Sequence, residues 1–150
     1  MTGEVVIQHA GLMAQRRNGV WCGVLLRGAS GVGKSDLALR LLAVGWRLVA
    51  DDRTQLWRDA DQVFGRAPAV LAGRIELRGQ GVFGGLPVQS FAPITLIADC
   101  LPPGQAMERV PEATFEQLLG VTIPKVSLVA ADASAPARLD RLLDRPHPDV

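Results

Sequence analysis

The chain has 150 residues, 48% of them hydrophobic and 21% charged, the make-up of one domain with a buried core. Its net charge of +1 provides no bulk attraction to nucleic acid or to an anionic membrane, so neither is expected as a partner. Cys22 and Cys100 lie in apolar runs without metal-ligand spacing, and with only 2 histidines a structural zinc site is excluded; both read as buried thiols in a reducing compartment. The opening MTGEVVIQHAG has no basic segment ahead of an apolar run, and no stretch is long enough to span a bilayer, so a cytoplasmic protein is expected.

Residues 5–9 (VVIQH) predict a short strand, followed by a polar loop over 14–19 that ends in the Asn18-Gly19 turn signal. Residues 20–27 (VWCGVLLR) form a strand rich in branched and aromatic side chains, suited to burial. Residues 35–44 carry Leu37, Leu39, Leu41 and Leu42 at helical spacing, and Gly45 stops that helix. The strand 47–50 (RLVA) delivers Asp51 and Asp52 at its end, and 54–57 and 63–65 can pair as a hairpin. Residues 75–82 (IELRGQGV) lead into a Gly-Gly turn and the short segment 86–88. Residues 94–98 (ITLIA) read as a strand ending at Asp99, with a proline turn after it. A helical turn is expected over 112–119, a strand over 126–129, and a last helix over 136–143 with proline in its first turn. Strands alternating with helices, and a strand-rich middle, make this one α/β domain over residues 1–150.

The chemistry begins at residues 28–35 (GASGVGKS), which match G-x-x-x-x-G-K-[ST] at Gly28, Gly33, Lys34 and Ser35. The phosphate-binding set is then Gly28, Ala29, Ser30, Gly31, Val32, Gly33, Lys34 and Ser35. Glycines let backbone N–H groups curl around phosphates, Lys34 reaches the β and γ oxygens, and the Ser35 hydroxyl can ligate Mg²⁺. Average composition yields this pattern by chance in a chain this long on the order of once in two hundred. An apolar strand before it and an amphipathic helix after it sharpen the signal further. A nucleoside triphosphate, ATP, is the expected ligand.

Such a site needs a carboxylate near the metal and another group near the nucleophile. Two strand ends compete for that place. Asp99 after ITLIA has the usual spacing, whereas Asp51 and Asp52 repel each other side by side, a repulsion that a divalent cation would offset.

The run GASGVGKSDLALRLLAVGWRLVADD, followed by IELRGQGV and by ASAPARL near the end, resembles the catalytic domain of the bacterial HPr kinase/phosphorylase family. The similarity is to its short proteobacterial form without an N-terminal domain, and it covers residues 9–142. It implies a P-loop kinase domain of the HPr kinase type, a mixed central sheet with flanking helices. It further implies an ATP- and Mg²⁺-dependent protein serine kinase acting on HPr, a small phosphocarrier of phosphotransferase systems, with reverse phosphorolysis in many members. Assemblies of the family imply a homo-oligomer, specifically a hexamer.

By the same resemblance Asp52 takes the serine proton and returns it during phosphorolysis, with Asp51 beside it near the metal. Ser35, Asp51 and Glu76 are the implied metal residues, and His9, Lys34 and Arg109 complete the implied catalytic set, Arg109 near the transferred phosphate. The other arginines, including Arg16, Arg17 and Arg58, are expected to be solvated. The chain departs from the family pattern in places. It is longer between His9 and Gly28, carries Gln80 and Gly84-Gly85 where apolar residues are usual, and lacks basic residues in VSLVAADAS, which argues against phosphorolysis. One helix before PHPDV, where longer members add more, implies altered recognition of HPr. Two other readings are a small-metabolite P-loop kinase, disfavoured by the lack of an arginine-rich lid, and a non-catalytic nucleotide-sensing module of the same system.

Overall fold

The computed structural model describes residues 4–144; the PHPDV tail lies outside them. In chain order the elements are β1 (Val5–Gln8), β2 (Gly11–Arg17), β3 (Val20–Arg27), α1 (Lys34–Ala43), β4 (Arg47–Ala50), β5 (Thr54–Asp59) and β6 (Gln62–Arg66). A 3-10 turn at Ala69–Leu71 leads to β7 (Ile75–Leu77), β8 (Gly81–Phe83), β9 (Ala92–Leu101), β10 (Thr114–Leu118), β11 (Val121–Val129) and α2 (Ala135–Asp144).

Nine strands form one mixed sheet in the order β1-β5-β6-β9-β3-β2-β4, with β11 added beside β9 and β10 beside β11. The β3–β9 and β9–β11 pairs are parallel, and the remaining pairs in the sheet are antiparallel. Side chains alternate across a strand, so the central strands feed two cores. Met13, Val24, Leu26, Leu96 and Ala98 join Leu37 and Leu41 of α1, Leu139 of α2 and Trp46. Leu12, Ala14, Leu25 and Ile97 instead pack with Leu56, Val63, Leu118 and Ile123, all from strands. The sheet is mixed as expected, and both helices contribute to the same one of these cores.

Helix α1 buries Leu37, Ala38 and Leu41 and ends where the Val44 and Gly45 amides bond back to the Leu41 and Leu42 carbonyls. Its N-cap, Gly33, offers no side-chain acceptor, so the first-turn N–H groups stay available to an anion.

Four expectations are corrected. Residues 14–17 extend strand β2, and only Asn18 and Gly19, at φ 52° and 77°, form the turn to β3; alternation with the buried Leu12 and Ala14 on one face overrides the polar Gln-Arg-Arg run. The long stretch between His9 and Gly28 is therefore a hairpin. The expected helical turn over 112–119 is strand β10, held by antiparallel pairing with β11, which starts earlier than expected at Val121. Asp99 ends no strand, because β9 runs on to Leu101 between β3 and β11. Arg17 is half-buried and pairs with Asp140 and Asp144, tying β2 to α2, whereas Arg58 is exposed as expected and donates to the Ala60 and Leu119 carbonyls.

Candidate active site

The loop at residues 28–33 leaves β3, a central strand, and enters α1, so rigid elements hold both its ends. Gly28 has φ 147°, and a Cβ there would lie 2.6 Å from the Cys100 carbonyl oxygen of β9. Backbone cannot give way as a side chain can, so glycine is required. Cys100 is buried beneath this strand end, and desolvation pushes its thiol up to about 11. It is inert packing. Cys22, by contrast, is only half-buried. Lys34 Nζ donates to the Gly28 carbonyl, with the Ala29 carbonyl at 3.5 Å, which keeps the ammonium at the rim of the loop.

Facing the loop is a cavity of about 460 Å³ lined by Ser30, Gly31, Gly33, Lys34, Ser35, Asp36, Leu39, Asp51, Asp52, Glu76, Leu77, Arg78 and Gln80. The acidic pair reaches it because β4 stops at Ala50. Ser35 Oγ donates to Asp51 Oδ1 at 2.8 Å, and the Glu76 N–H donates to Asp51 Oδ2 at 3.0 Å. One carboxylate thus joins the start of α1 to the β7–β8 hairpin. Burial raises the Asp51 pKa, and the two hydrogen bonds oppose that shift while the charges of Asp52 and Glu76 add to it. Asp52 is exposed and stands at φ 68° at the apex of a turn closed by Arg53 N–H to the Asp51 carbonyl at 2.7 Å. Left-handed backbone in a three-residue turn is rare and strained, and such strain concentrates at functional sites.

The competing Asp99 is engaged elsewhere. Its carboxylate pairs with Arg27 Nε at 2.9 Å, and the same guanidinium holds Glu116 Oε2 at 2.5 Å, with Lys125 also on Glu116 at 3.3 Å. These bonds raise the Arg27 pKa and hold the Glu116 carboxyl below the ordinary range. Asp99 is also absent from the cavity lining.

Two expected residues lie off the cavity. His9 is exposed at the bend between β1 and β2. Gln8 pairs with Thr54 and Leu12 with Ala50, so this bend runs alongside residues 51–53, pinned by Thr54 Oγ1 to the Ala10 carbonyl at 2.7 Å. Arg109 sits on the exposed segment between β9 and β10, outside the lining. Asp36, Leu39, Leu77 and Arg78 line the cavity without having been singled out. For Arg78 no local pattern gave a signal, because it lies in the turn between β7 and β8 and reaches the loop only through the hairpin's placement.

The donor set fits a magnesium nucleotide. Among the described residues no cluster of three His, Cys, Asp or Glu is arranged to hold an ion alone. Mg²⁺ is commonly held by one or two carboxylates with substrate phosphates, and Ser35, Asp51 and Glu76 are the residues that would hold it here. The free amides at the start of α1 would offer the phosphate seat.

Comparison with known proteins gives the family and the fold. The family model for the HPr Serine kinase C-terminal domain matches residues 18–139. The HPr kinase/phosphorylase of Lacticaseibacillus casei is 36% identical over 116 residues, covering 71% of this chain and 36% of that protein. That of Lactobacillus acidophilus is 38% identical over 116 residues with the same coverage. The chain therefore spans about a third of the length of these curated relatives. Among solved structures, the Hpr(Ser) kinase/phosphatase from Coxiella burnetii superposes with a TM-score of 0.77 at 26% identity, covering 93% of this chain and 94% of that one.

Proposed function

The chain belongs to the HPr serine kinase C-terminal domain family, and from that premise we propose that it is an ATP- and Mg²⁺-dependent protein serine kinase acting on an HPr-type phosphocarrier. The observation that carries the reading is one cavity lined both by the phosphate loop and by the adjacent Asp51 and Asp52. Residues 1–150 act as a single catalytic domain, in the cytoplasm and as a homo-oligomer, a hexamer in the family's manner.

Bound magnesium nucleotide supplies the transferable phosphoryl group with its charge screened. The chain's own residues do the rest. The α1 amides and Lys34 seat the phosphates, and Ser35, Asp51 and Glu76 fix the metal side. Asp52, exposed and rigidly turned, accepts the serine proton, which positions the hydroxyl for attack; phosphoryl transfer demands little beyond such placement and charge stabilisation. His9, alongside residues 51–53, is assigned an auxiliary catalytic role, while Arg109, expected near the transferred phosphate, lies outside the cavity lining.

Purified protein with ATP, Mg²⁺ and HPr should yield phosphoserine on HPr by mass spectrometry. No transfer across varied nucleotide and metal conditions overturns the assignment. Added inorganic phosphate then tests phosphorolysis, whose absence is expected from the VSLVAADAS segment.

A further inference from the structure

Hairpin β7–β8 is not part of the main sheet, yet two anchors hold it at the cavity. Ile75 is fully buried in the helix-side core, and the Glu76 amide is bonded to Asp51. Its turn is closed by Gln80 N–H to the Leu77 carbonyl at 2.9 Å, and Arg78 is the first residue of that turn. A Cβ built on Gly31 would lie 3.6 Å from Arg78 Nη1 and 3.9 Å from Nη2. The guanidinium therefore hangs over the crest of the phosphate loop. Lys34 emerges from its base.

The electrostatics of the lining assign that guanidinium a task. Asp36, Asp51, Asp52 and Glu76 bring negative charge to the cavity, and Lys34 and Arg78 are the cations there. Among the described residues no carboxylate forms an ion pair with Arg78. A polyphosphate seated on the α1 amides would turn its reacting end toward Asp52 and toward the hairpin, whose Glu76 is tied through Asp51 to Ser35. We propose that Arg78 donates to the terminal, transferred phosphoryl group from the hairpin side and so discriminates nucleoside triphosphate from diphosphate. The inference rests on the kinase reading above. In the transfer, the bond from the phosphoryl group to the nucleoside diphosphate breaks and the bond to the serine oxygen forms. The serine proton passes to Asp52, while Arg78 keeps its protons and stabilises the charge. Arg109, off the cavity, does not fill this place.

The planar fork of arginine can bind two phosphate oxygens at once, which a lysine cannot reproduce. Calorimetry with Mg·ADP and with the Mg complex of a non-hydrolysable ATP analogue tests the assignment on wild type, Arg78→Ala, Arg78→Lys and Lys34→Ala. Arg78→Ala should weaken the triphosphate analogue roughly 10- to 100-fold while leaving ADP nearly unchanged, with Arg78→Lys in between. Arg78 is exposed, so the alanine variant should fold, and an unchanged melting curve checks it. Equal effects on the two nucleotides overturn the proposal, as does unchanged binding with a raised KM for HPr, which would place Arg78 on the acceptor. Wild type that binds neither nucleotide, or a Lys34→Ala variant that binds both normally, sinks the kinase reading along with it.

Discussion

At the scale of the residue, the proposed mechanism divides two tasks between Asp51 and Asp52 by their environments. Asp51 is half-buried and spends both oxygens on Ser35 and Glu76, so it orients the site. Asp52 is exposed, with its backbone held at φ 68°, and is the carboxylate left to meet a hydroxyl. Asp52→Asn should lower kcat about 10²- to 10⁴-fold, the usual contribution of a proton acceptor, with magnesium nucleotide affinity retained. Steady-state kinetics paired with calorimetry reads both. Near-normal turnover would remove Asp52 from the chemistry, and a nucleotide sensor would keep its output. The pair was visible in the sequence, but its competition with Asp99 was not resolvable there. A strand end is a local property, whereas the Arg27 ion pair that occupies Asp99 joins residues 72 positions apart.

At the scale of the element, the β10–β11 hairpin is joined to the strand that carries the phosphate loop by the Arg27–Glu116 pair. The Glu116 carboxyl is held below its ordinary pKa, first by its hydrogen bond with Arg27. A depressed carboxylate stabilises the fold above its unfolded pKa, about 4.3 for glutamate, and that stability is lost as pH falls through the folded value. Wild type should therefore exceed Glu116→Gln in urea resistance at neutral pH, by about 1 kcal/mol once solvent screening is allowed for. The difference should close as the pH is lowered beneath the ordinary glutamate range. A gap independent of pH would show that the pair contributes packing and not charge. Helix α1 and strands β3 and β4 were legible because their apolar spacing agrees with their burial. Strand β10 was not, since residues 114–118 (TFEQL) carry no strict alternation, and β11 imposes its state from across the ladder.

At the scale of the molecule, the helix-side core ties α1, α2 and the central strands together around Trp46, which is 1% exposed. Trp46→Ala should cost about 3–5 kcal/mol, the usual loss for a large aromatic removed from a packed interior. Urea denaturation measures it directly, and a loss under 1 kcal/mol would mean that this core is not the main support of the fold. Because α1 begins at the phosphate loop and packs through Leu37 and Leu41 on that core, the variant should also weaken nucleotide binding.

Local chemistry was sufficient to pick out the phosphate loop, its helix and the adjacency of the twin carboxylates, because backbone curvature, amide donors and charge at close spacing are encoded within a few adjacent residues. Tertiary pairing alone decided that residues 14–17 are strand, that Asp99 serves Arg27, and that Arg78 stands over Gly31 while Arg109 does not reach the cavity. Those outcomes depend on strand order and on a hairpin anchored by Ile75 and Asp51, contacts between residues far apart in the chain, which no local pattern records.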